Sequence, residues 1–250
     1  MITLCIPSRG RPKLAKRMYD SAMAQSKAKK NLEFLFYLNE DDNSLPEYLN
    51  LLNNLPQIKI EVGPHQSTCF SWNKLAQRAK FDIVCLMGDD VQFETKKWDH
   101  KLLEEFDKCE DKILMVVPNT GRPRGYRESQ WKSKELIRVI KKNETLPAPH
   151  FAVHKNWIKV LGYLCPPQFW HFYVDTYTQK VARSLGRCIF RKDIVWKVKK
   201  ITDNTAHQVR THLNIRNRED YVWSTCERHL QSDIDALRFF IKNYIMGKYH

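Results

Sequence analysis

Two pairs of adjacent carboxylates, Asp41-Asp42 and Asp89-Asp90, have the residue types and spacing best suited to chemistry in this chain. Adjacent carboxylates repel one another, but they become favourable in a cleft when a divalent cation sits between them and bound phosphates. Mg²⁺ and Mn²⁺ prefer such oxygen ligands, so either ion is a candidate cofactor. Each pair could instead form a solvated turn or a helix cap. That alternative stays open for Asp41-Asp42, whereas the strongly apolar segment before Asp89-Asp90 favours a functional role there.

A basic loop, Pro-Ser-Arg-Gly-Arg-Pro at residues 7–12, is the second polar segment of interest. Two arginines beside the start of a helix suit the phosphates or the base of a nucleotide. The loop has neither the G-x-x-x-x-G-K-[ST] spacing of a P-loop nor the G-x-G-x-x-G dinucleotide fingerprint. The kinase and dehydrogenase classes therefore lose their main support.

Short apolar runs alternate with helical patterns in the first half of the chain, which predicts βαβ units and an α/β fold with a mostly parallel sheet flanked by helices. The predicted strands are Ile2–Ile6, Leu32–Leu38, Ile58–Val62, Asp82–Met87 and Ile113–Val117. The predicted helices are Pro12 to about Lys27, Leu45–Leu55, about Thr68 to Ala79, and Trp98–Cys109. Such sheets bind ligands at the carboxyl ends of their strands, so Asp89-Asp90, the basic loop and Asn119 are expected at one edge.

The second half of the chain is less regular. We expect short strands at Phe151–Val153, Cys188–Phe190 and Ile194–Val198, a helical turn at Asn156–Leu161, and helices at Phe172–Leu185 and Asn217–Tyr249. No stretch is long or polar enough to serve as a linker to a second independent domain. We therefore predict one structural domain.

Charge is distributed unevenly along the chain. Residues 1–121 hold 17 of the 42 basic and 17 of the 28 acidic side chains, so the whole net charge of +14 lies in residues 122–250. Such a field attracts polyanions, although it could also be a solubilising surface. Seven scattered cysteines without a C-x-x-C pair, together with the lack of a signal peptide or an 18-residue apolar run, predict buried thiols in a cytoplasmic protein without a membrane span.

The first 121 residues resemble the nucleotide-binding half of a GT-A glycosyltransferase, close to the family 2 group. The matching segments are "ITLCIPSRGRP", "EFLFYLNEDD" and "TCFSWNKLAQRAKFDIVCLMGDDV". The resemblance implies a Rossmann-like GT-A fold, with residues 1–121 binding a nucleoside-diphosphate sugar and residues 122–250 binding the acceptor and ending in a helix. It implies Asp90 as the metal ligand. The family usually has Asp first in this loop, where this chain has Gly88, which leaves the metal site with less carboxylate. The predicted donor-binding residues are Pro7, Ser8, Arg9, Arg11, Asp41, Asp42, Asp89 and Asn119.

The segment "FWHFYVDTYTQKVARSLG" resembles the family helix that carries the catalytic carboxylate, with Asp175 in that position. A carboxylate in a partly apolar cleft can deprotonate an acceptor hydroxyl, although an Asp near a helix start is also favoured by the helix dipole. By order along the chain, His207 resembles a late metal-binding histidine of some relatives, and His171 is its rival. His150 and His154 lie four residues apart, but Pro149 argues against a helix that would bring them together.

These residues predict a metal-dependent transfer of a sugar from a nucleoside-diphosphate sugar, UDP-sugar first, to a hydroxyl acceptor. Basic clusters interleaved with aromatics, around Trp131 and Trp196, favour DNA as the acceptor, such as a hydroxymethylated base in a viral setting within the host cytoplasm. A glycan or a protein acceptor is the alternative. Two other classes stay open: a non-catalytic nucleic-acid-binding protein on a GT-A scaffold, and a nucleotidyltransferase.

Overall fold

The computed structural model describes residues 1–121, 148–198 and 213–247, except for the side chains of residues 213–216. The strands are β1 (Ile2–Ser8), β2 (Leu32–Asn39), β3 (Ile58–Gly63), β4 (Ile83–Leu86), β5 (Val91–Phe93), β6 (Met115–Asn119), β7 (Phe151–His154) and β8 (Cys188–Val198). The helices are α1 (Pro12–Gln25), α2 (Leu45–Leu52), α3 (Thr68–Arg78), α4 (Trp98–Asp107), α5 (Lys155–Leu161), α6 (Val174–Ser184), α7 (Leu213–Thr225) and α8 (Glu227–Met246), with a 3₁₀ turn at Lys29–Asn31.

The eight described strands form one sheet in the order β3-β2-β1-β4-β7-β6-β8-β5. The strands β3, β2, β1 and β4 run parallel, β7 is antiparallel to both neighbours, β6 and β8 are parallel, and β5 is antiparallel to β8. The prediction of a mostly parallel sheet flanked by helices is thus confirmed. Because β4 and β6 both run antiparallel to β7, their carboxyl ends lie at the same edge as that of β1.

A hydrophobic cluster covers each face of the sheet. One cluster joins the sheet to α3, α5, α6 and α8 through side chains such as Trp72, Trp157 and Tyr177. The other joins it to α1, α2 and α4 through side chains such as Tyr48 and Trp98. Every residue of β4 is buried, as expected for an interior strand with helices on both faces.

Three sequence predictions about elements are wrong. Strand β5 was not predicted, because three residues give too short an alternation to detect. The two strands predicted at 188–190 and 194–198 form one strand, β8, although its pairing with β6 shifts register between Arg191 and Val195, where the break was predicted. The single C-terminal helix is two helices that meet at buried Cys226, because α7 and α8 pack against different parts of the domain.

All seven cysteines are free, and six of them are buried. Within the described ranges, no helix has both the length and the apolar character needed to cross a membrane.

Candidate active site

The candidate site lies where β1 and β4 separate at the carboxyl edge of the sheet. Their pairing ends at Cys5 and Leu86, and the Met87 amide donates the last hydrogen bond, to the Cys5 carbonyl at 3.1 Å. Pro7 has no amide hydrogen and cannot extend this ladder. The two strands therefore part, and polar side chains fill the crevice between them.

Asp89 is the centre of a buried polar cluster. Its carboxylate accepts a hydrogen bond from the Ser8 hydroxyl at 2.6 Å and from the Arg11 guanidinium at 3.3 Å. The Ser8 hydroxyl is also 2.6 Å from the Tyr48 hydroxyl, which accepts a 2.8 Å bond from the Arg11 amide. Side chains from β1, α2 and the end of β4 thus hold one another in place.

The ionised form of Asp89 is unfavourable in this cluster. Burial raises the pKa of Asp89 to about 6, and neighbouring Asp90 adds to the rise, although Arg11 and Ser8 oppose it. Holding this carboxylate in a buried site costs free energy in the unliganded fold. A pKa shifted by burial and by neighbouring charges, as that of Asp89 is, is typical of functional sites.

The basic loop is fixed by the acidic pair that follows β2. Asp42 accepts hydrogen bonds from the Gly10 amide at 2.8 Å and from the amide and hydroxyl of Ser44 at 2.9 and 2.8 Å. Gly10 has a φ of 68°, a conformation in which glycine carries no steric cost. Ser44, which directly precedes α2, makes no capping bond from its side chain, because that hydroxyl donates to Asp42. Asp42 therefore shapes the loop.

Arg9 and Asp41 form an exposed ion pair between the basic loop and the residues that follow β2. The guanidinium donates to both carboxylate oxygens, at 2.5 and 3.1 Å. This bidentate pair lowers the pKa of Asp41. Both side chains are solvent-accessible, so the pair contributes little to stability and can open for a ligand.

Asp90 faces a histidine that the sequence did not single out for this role. The Nε2 atom of His150, just before β7, lies 3.8 Å from Asp90 Oδ1. Gly88 makes room for this approach. A Cβ atom at Gly88 would lie 2.8 Å from Asp90 Oδ1 and 3.2 Å from His150 Cε1. The glycine in place of the usual family Asp thus leaves space in which Asp90 and His150 approach each other.

A second loop, residues 166–173, lies at the start of α3. The Cys69 amide donates to the Trp170 carbonyl at 3.3 Å, and Thr68 Oγ1 is 3.0 Å from His171 Nδ1. Burial lowers the pKa of His171 to about 4, and the charge of Arg11 adds to this. His171 is therefore neutral at pH 7 and is held beside the arginine of the first cluster.

One buried carboxylate holds this loop. Glu219 of α7 is 1% exposed and accepts hydrogen bonds from the amides of Trp170, His171 and Phe172 at 2.6, 2.6 and 3.0 Å. Burial raises the pKa of Glu219, although the three amides oppose the rise. The conformation of this loop thus depends on the packing of α7, which is distant from the loop in sequence.

Asp175 lies in the first turn of α6, directly after this loop. Its Oδ1 atom accepts a 2.8 Å bond from the Thr176 amide, and the side chain is half-buried. Tyr173 precedes α6 with a φ of 64°, which is uncommon for a residue with a side chain. The Tyr173 ring stacks on Trp223 at 5.2 Å and its hydroxyl donates to Asp220, so contacts from α7 hold this conformation.

A small cleft of about 200 Å³ opens beside the second loop. It is lined by Ser67, Pro167, Gln168, Phe169, Trp170, Arg218 and Glu219. The cleft combines the aromatic side chains of Phe169 and Trp170 with the Arg218 cation of α7.

The structure does not bring every predicted residue to this site. Asn119 is two strands away from β4, where its side chain donates to the Lys192 carbonyl and accepts from the Gly121 amide. His207 lies outside the described residues, as does Trp131. Trp196 is fully buried against Phe93 and Trp98, so the prediction that it stacks on a base is wrong.

Sequence reasoning missed Tyr48, His150 and Glu219. No local signal marks them, because each acts on a residue far away in the chain. For His150 there is one indirect signal: Gly88 lacks the usual carboxylate, which leaves space beside Asp90 for another side chain.

The fold is that of the GT-A glycosyltransferases. A mannosyltransferase of Pyrobaculum calidifontis, solved with GDP-Man and Mn²⁺, is similar at a TM-score of 0.62 and 14% identity, over 99% of this chain and 79% of that one. TarS residues 1–349 of S. aureus, solved with UDP-GlcNAc, is similar at a TM-score of 0.60 and 15% identity, and the match covers 82% of this chain and 60% of that one. A mycobacterial protein is similar at a TM-score of 0.59 and 12% identity, and the match covers 81% of this chain and 68% of that one. No curated protein sequence matches significantly.

The sequence matches the model of glycosyl transferase family 2 over residues 3–161, which is more than half of its 250 residues. The chain belongs to this family, as its motifs predicted.

Proposed function

We propose that this protein transfers a sugar from a nucleoside-diphosphate sugar, a UDP-sugar first, to a hydroxyl acceptor. The observation that carries the proposal is the buried Asp89, joined to Ser8 and Arg11 and followed by Asp90, at the point where two parallel strands separate. Crevices of this kind are where α/β sheets bind ligands. The relatives bound to GDP-Man and UDP-GlcNAc support this class of donor.

The donor would bind along the ends of β1, β2 and β4. Asp89 suits a ribose hydroxyl, because its carboxylate is a strong acceptor already fixed by Ser8. Arg11 supplies a cation beside it for the diphosphate, and the Arg9–Asp41 pair can open towards the nucleoside. Asp42 holds the loop that presents both arginines.

Asp90 is the residue that would hold a divalent cation, Mn²⁺ or Mg²⁺. Its side chain is 23% exposed at the strand end, so it is accessible to a ligand in the crevice. The described residues include no group of three or more His, Cys, Asp or Glu side chains that could hold a metal alone. This fits ions that take one or two protein ligands and complete their shell with phosphate and water. A bound cation would stabilise negative charge on the departing diphosphate.

Residues 122–250 would supply the acceptor side, and Asp175 would be the general base of an inverting reaction. Glu219 fixes the loop before Asp175, and Asp175 is half-buried beside the aromatic side chains of that loop. A carboxylate in such surroundings can remove a proton from an acceptor hydroxyl.

For the acceptor, we propose a polyanion, and DNA is its first test. The net charge of +14 in the second half supports this class. Several described basic groups are already paired within the chain: Arg187 with Asp111, Arg191 with Glu105, and Lys197 with Glu94. Fluorescence anisotropy with duplex and single-stranded DNA at 50 and 200 mM salt would test it. Affinity that does not fall with salt would exclude this acceptor and favour a neutral glycan or a protein.

Thermal stabilisation by nucleotide sugars with Mn²⁺ tests the donor proposal, because a ligand of the native state raises its stability. We expect a UDP-sugar to raise Tm with Mn²⁺ present and Asp90→Asn to remove the metal-dependent part. Asp107→Asn, which changes an exposed carboxylate on α4, is the control and should keep the full shift. An equal shift in wild type and Asp90→Asn would overturn the assignment of Asp90.

A non-catalytic nucleic-acid-binding protein is the competing function, because Gly88 leaves the loop of Asp90 with one carboxylate fewer than is usual in the family. The same experiment separates the two: DNA binding without any donor-dependent shift or UDP release would support the competitor.

A further inference from the structure

We propose that His150 is the second protein ligand of the active-site cation and replaces the carboxylate that is missing at position 88. The inference rests on the proposed function, because it takes Asp90 as the first ligand. It adds a residue from the second half of the chain to a site whose other residues come from the first half.

The distance between the two side chains fits a shared ion. His150 Nε2 and Asp90 Oδ1 are 3.8 Å apart. Two ligands that each lie about 2.1 Å from one ion are at most about 4.2 Å apart. The pair can therefore converge on one cation with little movement of either side chain.

The surroundings hold the imidazole in that position. His150 is 6% exposed and precedes β7, whose backbone pairs with β4 along its whole length, from Ile83 to Leu86. The strand that ends near Asp90 is thus fixed against the strand that begins beside His150. Such a rigid pair is a suitable arrangement for a ligand set.

Gly88 gives an independent reason for this assignment. A Cβ atom at this position would crowd both Asp90 Oδ1, at 2.8 Å, and His150 Cε1, at 3.2 Å. A larger side chain at residue 88 would therefore force Asp90 or His150 to shift from the observed approach. The loop has no oxygen ligand at position 88, and the His150 nitrogen lies in the space beside it.

Nitrogen in the ligand set changes the expected metal preference. Imidazole suits Mn²⁺ and later divalent ions better than Mg²⁺, which strongly prefers oxygen. We therefore expect His150 to favour Mn²⁺ over Mg²⁺ in the presence of UDP.

Electron spin echo envelope modulation of the full chain with Mn²⁺ and UDP tests this directly. We expect ¹⁴N modulation from a coordinated imidazole in wild type, its loss in His150→Gln, and its retention in His229→Gln, an exposed histidine of α8. Mn²⁺ affinity with UDP, measured from the free-ion signal, should fall about tenfold or more in His150→Gln, with a smaller loss for Mg²⁺.

A second variant protects the test against misfolding. Gly88→Ala keeps both proposed ligands but crowds the Asp90 carboxylate and the His150 ring, so we expect weaker Mn²⁺ binding and unchanged UDP binding without metal. Wild-type complex without ¹⁴N modulation, or modulation and affinity unchanged in His150→Gln, would overturn the role of His150. If wild type binds no Mn²⁺ with UDP at all, the proposed function fails too. If only Asp90→Asn loses Mn²⁺, the function stands without His150.

Discussion

The Ser8 hydroxyl donates a 2.6 Å hydrogen bond to the Asp89 carboxylate across 81 residues of sequence. The two residues end neighbouring parallel strands, and their bond bridges the crevice that opens where the strand pairing stops. Tyr48 and Arg11 complete the cluster, so three residues fix one buried carboxylate before any ligand arrives. Preorganisation of this kind reduces the ordering cost of binding.

Asp89→Asn should separate binding from stability. Burial raises the pKa of Asp89 to about 6, so the ionised carboxylate costs folding free energy at pH 8. The amide removes that cost, and we expect the free energy of unfolding at pH 8, measured in urea, to stay equal or rise. Affinity for UDP with Mn²⁺, measured by calorimetry, should fall at least tenfold, because the strong acceptor is lost. Asp107→Asn is the control. A loss of more than about 2 kcal/mol in stability would contradict this account.

Asp175→Asn should remove catalysis while leaving the donor site intact. The amide oxygen can still accept the bond from the Thr176 amide, so α6 should begin as before. A general base typically contributes 10²–10⁴-fold, so UDP release from a UDP-sugar should slow by about that factor with unchanged UDP affinity. Release at the wild-type rate would show that another group takes the proton or that the enzyme retains configuration.

His171 should make the fold sensitive to mild acid. Its folded pKa of about 4 is below the ordinary value of 6.5, so the unfolded chain binds more protons between these values. Stability is therefore full above pH 6.5 and falls as the pH drops towards 4, by up to about 3 kcal/mol from this residue. Urea unfolding from pH 7 to 4.5 should show a shallower decline in His171→Gln than in wild type. His229→Gln should follow the wild-type curve, and parallel curves for all three proteins would refute the assignment.

Glu219→Gln should loosen the loop that leads to Asp175. The glutamine oxygen can accept amide hydrogens but without the charge that makes such bonds strong, so we expect a loss of about 1–3 kcal/mol. Hydrogen exchange at the amides of Trp170, His171 and Phe172 should increase, and kcat should fall more than UDP affinity. Glu104→Gln, an exposed carboxylate of α4, is the matched control. Unchanged exchange at these three amides would mean that the loop is held by other contacts.

The sequence alone determined the alternation of elements and the strand ends that carry the donor cluster. Apolar runs such as Ile83–Leu86 form strands, Pro12 begins α1, and Gly162 ends α5. Each of these effects acts within a few residues, so it can be predicted from the local sequence. The position of Asp89-Asp90 after an interior strand followed from the same local pattern.

Only the tertiary structure decided which distant side chains meet at the site. His150 reaches Asp90 because β7 pairs with β4, and Glu219 reaches the second loop because α7 packs beside it. Packing of β8 against β5 and α4 buries Trp196, which the sequence analysis had assigned to a base-stacking surface. Contacts between separate elements depend on how their faces pack together, and no local run of residues records that.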